Sequence, residues 1–161
     1  MERRKFFKTI VLGALALSVV PASVRAEDFR KSKPAVWSAH TVDDAIKAMY
    51  GTTDLIENDS VFLKAAGEAY NSGKKAVASS GGAIPVNFST DISAKTIAVF
   101  QDANPESAVI VYTVNKYSVN NYDIKIKMGK PGTITVVVEG QDGKLYAAKQ
   151  TLDVALGGCE G

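Results

Sequence analysis

From Ile84 onward the chain consists of short apolar runs separated by turn residues, and this spacing restricts the fold more than any other feature. The runs are Ile84–Ser89, Lys95–Gln101, Ala108–Val114, Tyr122–Met128, Thr133–Glu139 and Leu145–Leu156. All but the last, longer run are of ordinary strand length. Asn104-Pro105, Lys130-Pro131-Gly132 and Asp142-Gly143 supply turns between them, and Asp-Gly between two apolar runs is a hairpin signal. Tyr122, Ile124, Ile126 and Met128 alternate with Asp123, Lys125 and Lys127, so that strand has one dry and one wet face. Six or seven such strands predict a mainly β fold, an immunoglobulin-like antiparallel β-sandwich. No repeat of roughly 20 to 50 residues runs through the chain, which sets aside solenoids and propellers.

The preceding segment is different. Glu27 to Ala39 has no clear period and reads as an irregular lead-in. Thr41 then opens a short helix: it caps the helix with Asp44 three residues on, and Asp43 and Asp44 favour the positive end of the helix dipole. Val42, Ala45, Ile46 and Met49 share one face and Gly51 ends the run, so this amphipathic helix packs on a core. Ser60 to Ala69 is ambiguous between strand and helix. Asn71 to Gly82 reads as a long loop in which Ala76-Val77-Ala78 could extend locally.

Residues 1–26 are set apart from the fold. Arg3, Arg4, Lys5 and Lys8 precede an apolar stretch, Thr9 to Val20, and then Pro21-Ala22-Ser23-Val24-Arg25-Ala26. Charged, apolar and small residues in that order form an export signal, with Val24 and Ala26 at the cleavage site. The apolar stretch of 12 residues is too short to cross a bilayer of about 30 Å as a helix, so no membrane association is expected after its removal. Arg3-Arg4-Lys5-Phe6-Phe7-Lys8 matches the twin-arginine pattern, and the expected location is the periplasm. Removing residues 1–26 from 161 leaves 135, the size of one domain. The signal holds five of the 19 basic residues and one of the 17 acidic ones, leaving 14 against 16, a net charge of −2. The basic balance therefore belongs to the signal, and with it goes any case for nucleic-acid binding.

A single cysteine in an exported chain cannot form an internal disulfide, and an unpaired one points to a reactive thiol or an intermolecular bond. It lies in Leu156-Gly157-Gly158-Cys159-Glu160-Gly161, after the last strand, where no further chain remains to pack against it. Glycines widen the backbone's conformational range and leave nothing bulky beside the sulfur. A slim thiol-bearing segment held at one end by a sheet suits a group-carrying arm that enters another protein's active site. The expected organisation is thus a signal at 1–26, a sandwich domain at 27–156 and an arm at 157–161. Glu160 and the terminal carboxylate surround the thiol with negative charge, and Lys149 is ten residues back. Like charges disfavour the thiolate, so the thiol is expected to titrate at or above its ordinary value of about 8.5. On this reading a partner enzyme must activate Cys159.

Other chemistries lack their residues. His40 is the only histidine, so a triad has no supporting arrangement, and one His with one Cys does not make a mononuclear metal site. Gly81-Gly82 and Gly157-Gly158 lack the lysine and following helix of a phosphate loop. Tyr112, Tyr117, Tyr122 and Tyr146 suit a sandwich core and its edges rather than a base-stacking platform. No cofactor is expected, nor an activity of the chain's own.

The end of the chain resembles SoxY, the sulfur-covalently-binding carrier family of the Sox thiosulfate-oxidising system, which ends in a Gly-Gly-Cys-Gly-Gly arm after a strand. Gly157-Gly158-Cys159-Glu160-Gly161 carries the resemblance, with Ile84-Pro85-Val86, Ile124-Lys125-Ile126-Lys127-Met128 and Gly143-Lys144-Leu145-Tyr146-Ala147-Ala148. It covers roughly residues 84 to 161 and is weaker from 41 to 70; Asn71 to Gly82 is longer than the family pattern suggests. The resemblance implies an immunoglobulin-like fold and a heterodimer with a second sandwich subunit, SoxZ. It also implies a cycle on Cys159: a haem cytochrome joins thiosulfate to the thiol, a dinuclear manganese hydrolase releases sulfate, and a molybdenum–haem sulfur dehydrogenase oxidises the remaining sulfur. Cys159 is then the attachment atom, with Gly157, Gly158 and Gly161 as arm residues. Glu160 departs from the pattern by placing bulk and charge beside the sulfur.

Two other classes compete. One is an exported structural or interaction sandwich that uses Cys159 for an interchain disulfide. The other, a thiol–disulfide oxidoreductase, is disfavoured because a second, resolving cysteine is missing.

Overall fold

The computed structural model describes residues 27–155. Among these described residues three helices precede ten strands. The helices are α1 (Phe29–Ser32), α2 (Pro34–Trp37) and α3 (Val42–Tyr50). The strands are β1 (Leu55–Glu57), β2 (Val61–Ala65), β3 (Glu68–Ala69), β4 (Ala76–Ala78), β5 (Ile84–Thr90), β6 (Ala94–Gln101), β7 (Ala108–Thr113), β8 (Asn121–Ile126), β9 (Gly132–Gly140) and β10 (Leu145–Val154).

The strands form two sheets. A four-stranded sheet has the order β3-β2-β5-β8, and a six-stranded sheet runs β1-β10-β9-β6-β7 with β4 also paired to β10. Every pairing is antiparallel except two: β1 and β4 both run parallel to β10, one along its beginning and the other along its end. The immunoglobulin-like sandwich expected from the spacing of the strands is present.

The core lies in two layers. Between the sheets, Val61, Leu63, Ile84, Val86 and Phe88 of the smaller sheet meet Ile97, Val99, Ile134, Val136, Val138 and Leu152 of the larger one. Behind the larger sheet, Phe29, Val36, Ile46 and Met49 of the helical region pack on Ala98, Phe100, Val137 and Ala147. The central strands β6 and β9 are thus buried on both faces, which explains why they read as near-continuous apolar runs while β8 alternates.

Helix α3 follows its sequence signals closely. The Thr41 side chain accepts from the Asp44 amide at 3.1 Å, and Gly51 closes the helix at φ +82°, a left-handed angle that suits glycine. The lead-in differs from expectation: Glu27 to Ala39 contains α1 and α2, each a single turn, and buries Phe29, Val36 and Ala39. One turn is too short to generate a period of 3.6, so sequence pattern could not reveal it. Trp37 Nε1 donates to the Phe29 carbonyl at 3.2 Å and ties the two turns together. The ambiguous Ser60–Ala69 segment resolves as a hairpin, with Ala66 (φ 51°) and Gly67 (φ 89°) turning the chain between β2 and β3. Strand β1 arises where the sequence carries no strand pattern.

Candidate functional site

The tail proposed from sequence follows β10, and the register of that strand defines where it starts. The β9–β10 hairpin turns through Asp142-Gly143, with Gly143 at φ +80° and the Gly140 amide donating to the Lys144 carbonyl at 2.9 Å. From there β10 pairs with β9 residue by residue, from Leu145 opposite Glu139 to Leu152 opposite Gly132. At Leu152 that support ends.

The last residues of β10 are held from the other side. Leu152, Asp153 and Val154 pair with Ala76, Val77 and Ala78 of β4, and the Ala155 amide donates to the Ala78 carbonyl at 2.9 Å. Lys75 Nζ lies 2.5 Å from Asp153 Oδ2, an ion pair exposed to solvent. The turn after β4 closes the same corner. The Met128 amide donates to the Gly81 carbonyl at 2.9 Å, and a side chain on Gly81 would collide with the Met128 carbonyl and come within 2.9 Å of Val154 Cγ1. Only glycine fits between β8's end and the tip of β10.

Residues Gly157, Gly158, Cys159, Glu160 and Gly161, the attachment and arm residues of the sequence reading, lie outside the described residues; so does the signal at 1–26. The structure therefore describes the platform from which that segment departs. Its contributors Lys75, Ala76–Ala78 and Gly81 come from the stretch read as loop. The faint apolar run Ala76-Val77-Ala78 was the signal for them, and three residues gain strand geometry only by pairing with β10.

The remaining sequence candidates sit elsewhere. His40 is exposed, and its Nδ1 donates to the Pro105 carbonyl at 2.9 Å, pinning the lead-in to the turn after β6. Tyr112 and Tyr122 are half-buried against the core, whereas Tyr117 is 83% exposed in the β7–β8 loop, contrary to the core or edge placement expected of it. Tyr146 donates to Asp142 Oδ2 at 2.8 Å, which holds the carboxyl of Asp142 below its ordinary range and raises the phenol. Among the described residues no group of three or more His, Cys, Asp or Glu side chains could hold a metal ion, and no helix is long and apolar enough to cross a membrane.

Comparison with known proteins decides the family. Residues 46–159, more than half of the chain, match the family described as sulfur oxidation protein SoxY. The chain belongs to the SoxY family. The match runs through the platform strands β4 and β10 and ends at Cys159. The structure of the sulfur carrier protein SoxY from Chlorobium limicola f thiosulfatophilum superposes with a TM-score of 0.60 at 28% identity, covering 71% of this chain and 96% of that chain. A superoxide reductase (neelaredoxin) from Ignicoccus hospitalis aligns at 13% identity and a TM-score of 0.48, covering 60% of this chain and 80% of that chain. No curated protein sequence matches the chain.

Proposed function

We propose that this SoxY-family chain is a periplasmic carrier of thiosulfate-derived sulfur, covalently attached to Cys159 on the segment 157–161, and that partner enzymes perform the chemistry. The observation that carries the reading is the extent of the family match, which continues past the end of β10 to Cys159 itself. The similarity to the sulfur carrier protein SoxY of Chlorobium supports it. So does the sequence: one thiol, flanked by glycines, behind a strand whose last residues are paired.

The cycle balances on one sulfur atom. A haem cytochrome removes two electrons as thiosulfate and the thiol join in an S–S bond, and the thiol proton is released. Water then cleaves the terminal sulfone on the dinuclear manganese hydrolase, releasing sulfate and one proton and leaving a persulfide, S–SH, on Cys159. A molybdenum–haem sulfur dehydrogenase takes six electrons from that sulfane sulfur while three waters supply its oxygens, and a second hydrolysis releases it as sulfate and restores the thiol. A SoxZ-like sandwich subunit completes a heterodimer, and the twin-arginine signal at 1–26 accounts for export.

Intact mass of protein isolated from cells fed thiosulfate tests this, read before and after reductant and alongside Cys159→Ser. Reductant-sensitive adducts of sulfur or thiosulfate size, absent from the serine variant, are expected. An unmodified thiol, or a stable homodisulfide alone, would instead support the structural sandwich with an interchain bond.

A further inference from the structure

We infer that Lys75 to Gly81 is a clasp that fixes the root of the tail, with Gly81 and the Lys75–Asp153 pair as its positioning residues. The register makes the case. Antiparallel pairing with β9 ends at Leu152 opposite Gly132, yet Asp153, Val154 and Ala155 remain tethered. Among the described residues, β4 alone supplies backbone partners to the chain beyond Leu152. Without β4 these three residues would be unpaired, and the segment that follows would start three residues earlier. At about 3.4 Å per residue that adds roughly 10 Å of reach on each side and removes the fixed direction of departure.

The clasp has three parts with separate physical roles. Backbone pairing to β4 sets the direction of Asp153 and Val154. The Lys75–Asp153 ion pair joins two solvent-exposed side chains, so it contributes register more than stability. Gly81 permits the closest approach: its carbonyl receives the Met128 amide while Val154 packs where a side chain would stand. Substitution there must displace either the backbone of Met128 or the tip of β10. This role rests on the carrier reading only for its purpose, the delivery of Cys159 to partner sites from a constant origin.

The test uses the full mature chain carrying spin labels at Cys159 and at an added Lys125→Cys on the exposed face of β8. The distribution of distances between the labels is compared with and without the clasp. Gly81→Ala and Lys75→Glu are each expected to broaden it by about half, and the charge swap Lys75→Glu with Asp153→Lys is expected to restore it. Conjugation of thiosulfate by the cytochrome partner should lose about threefold in kcat/KM through KM, with kcat retained. If Gly81→Ala does not fold, the charge-reversal pair decides alone. An unchanged distance distribution in the folded variants overturns the clasp, even where their unfolding temperature drops. Failure of wild-type protein to accept thiosulfate would overturn the carrier reading, while the distances still decide the clasp.

Discussion

The rings of Tyr112 and Tyr122 stack with centroids 4.2 Å apart and planes 17° from parallel, joining β7 of one sheet to β8 of the other. Phe88 extends the cluster from β5, 5.4 Å from Tyr122 and 6.2 Å from Tyr112. Both phenols are half-buried, and desolvation raises both above their ordinary value. On this side the sandwich ends in two edge strands, and the aromatic stack closes the gap between them.

The stack should therefore couple the sheets measurably. Replacing either tyrosine with alanine is expected to cost about 2 kcal/mol, from lost burial and the lost ring contact. A double-mutant cycle by urea denaturation should return a coupling of about 1 kcal/mol. Strict additivity would mean that the two rings are merely neighbours.

Tyr50 gives a pH prediction. Its hydroxyl lies 3.1 Å from Thr96 Oγ1, which donates to Glu139 Oε2 at 3.1 Å. Burial raises its pKa far above the ordinary value; the Thr96 hydrogen bond opposes this and the Glu139 charge adds to it. The folded state then holds the phenolic proton more tightly than the unfolded chain. Stability from this group is complete below the unfolded pKa of about 10 and is lost as pH rises beyond it. The urea midpoint should stay level from pH 7 to 9 as far as this group is concerned and fall above about pH 10. Tyr50→Phe should flatten that fall while costing about 1 kcal/mol at neutral pH. An identical alkaline slope in the variant would assign the loss to other groups.

The cap of α3 is a local contribution to the outer core. Thr41→Ala removes the acceptor for the Asp44 amide and should cost about 1 kcal/mol. Thr41→Ser keeps the oxygen and should restore most of it. Because α3 covers Phe100 and Val137 with Ile46 and Met49, the loss should appear in global thermal unfolding as well as in fraying of the helix. A change confined to amide exchange at residues 42–44 would show that the helix end is decoupled from the fold.

Glu160 tests the electrostatics of the proposed carrier. Glu160→Gly removes a negative charge beside the sulfur that accepts anionic thiosulfate. Conjugation by the cytochrome partner should speed up about threefold at low ionic strength, and the gain should shrink as salt is added. Equal rates at low salt would leave Glu160 with no electrostatic role.

Much of this was legible in the chain. The Asp142-Gly143 turn and the Thr41–Gly51 caps announce their own local geometry, because each is set by contacts within a few residues, and the two-residue alternation of β8 marks a strand with one dry face. The spacing of the strands gave the sandwich, and the isolated thiol of Cys159 with its glycine neighbours drew attention to the tail by the same short-range reasoning. Single-turn helices α1 and α2 and strand β1 escaped, since pieces of three or four residues carry no period.

What only the tertiary structure decided is the setting of the root. Ala76–Ala78 becomes a strand because β10 offers it a partner about 75 residues further along the chain, and no local propensity reports that. Gly81 must be glycine because Met128, just past β8, and Val154 at the tip of β10 converge on it, a requirement of space rather than backbone angle. The sequence by itself determined the longer strands, helix α3 and the position of the single cysteine. Pairing between distant segments decided where β10 stops being held, because hydrogen-bond partners and steric limits across a sheet exist only once the sheet has formed.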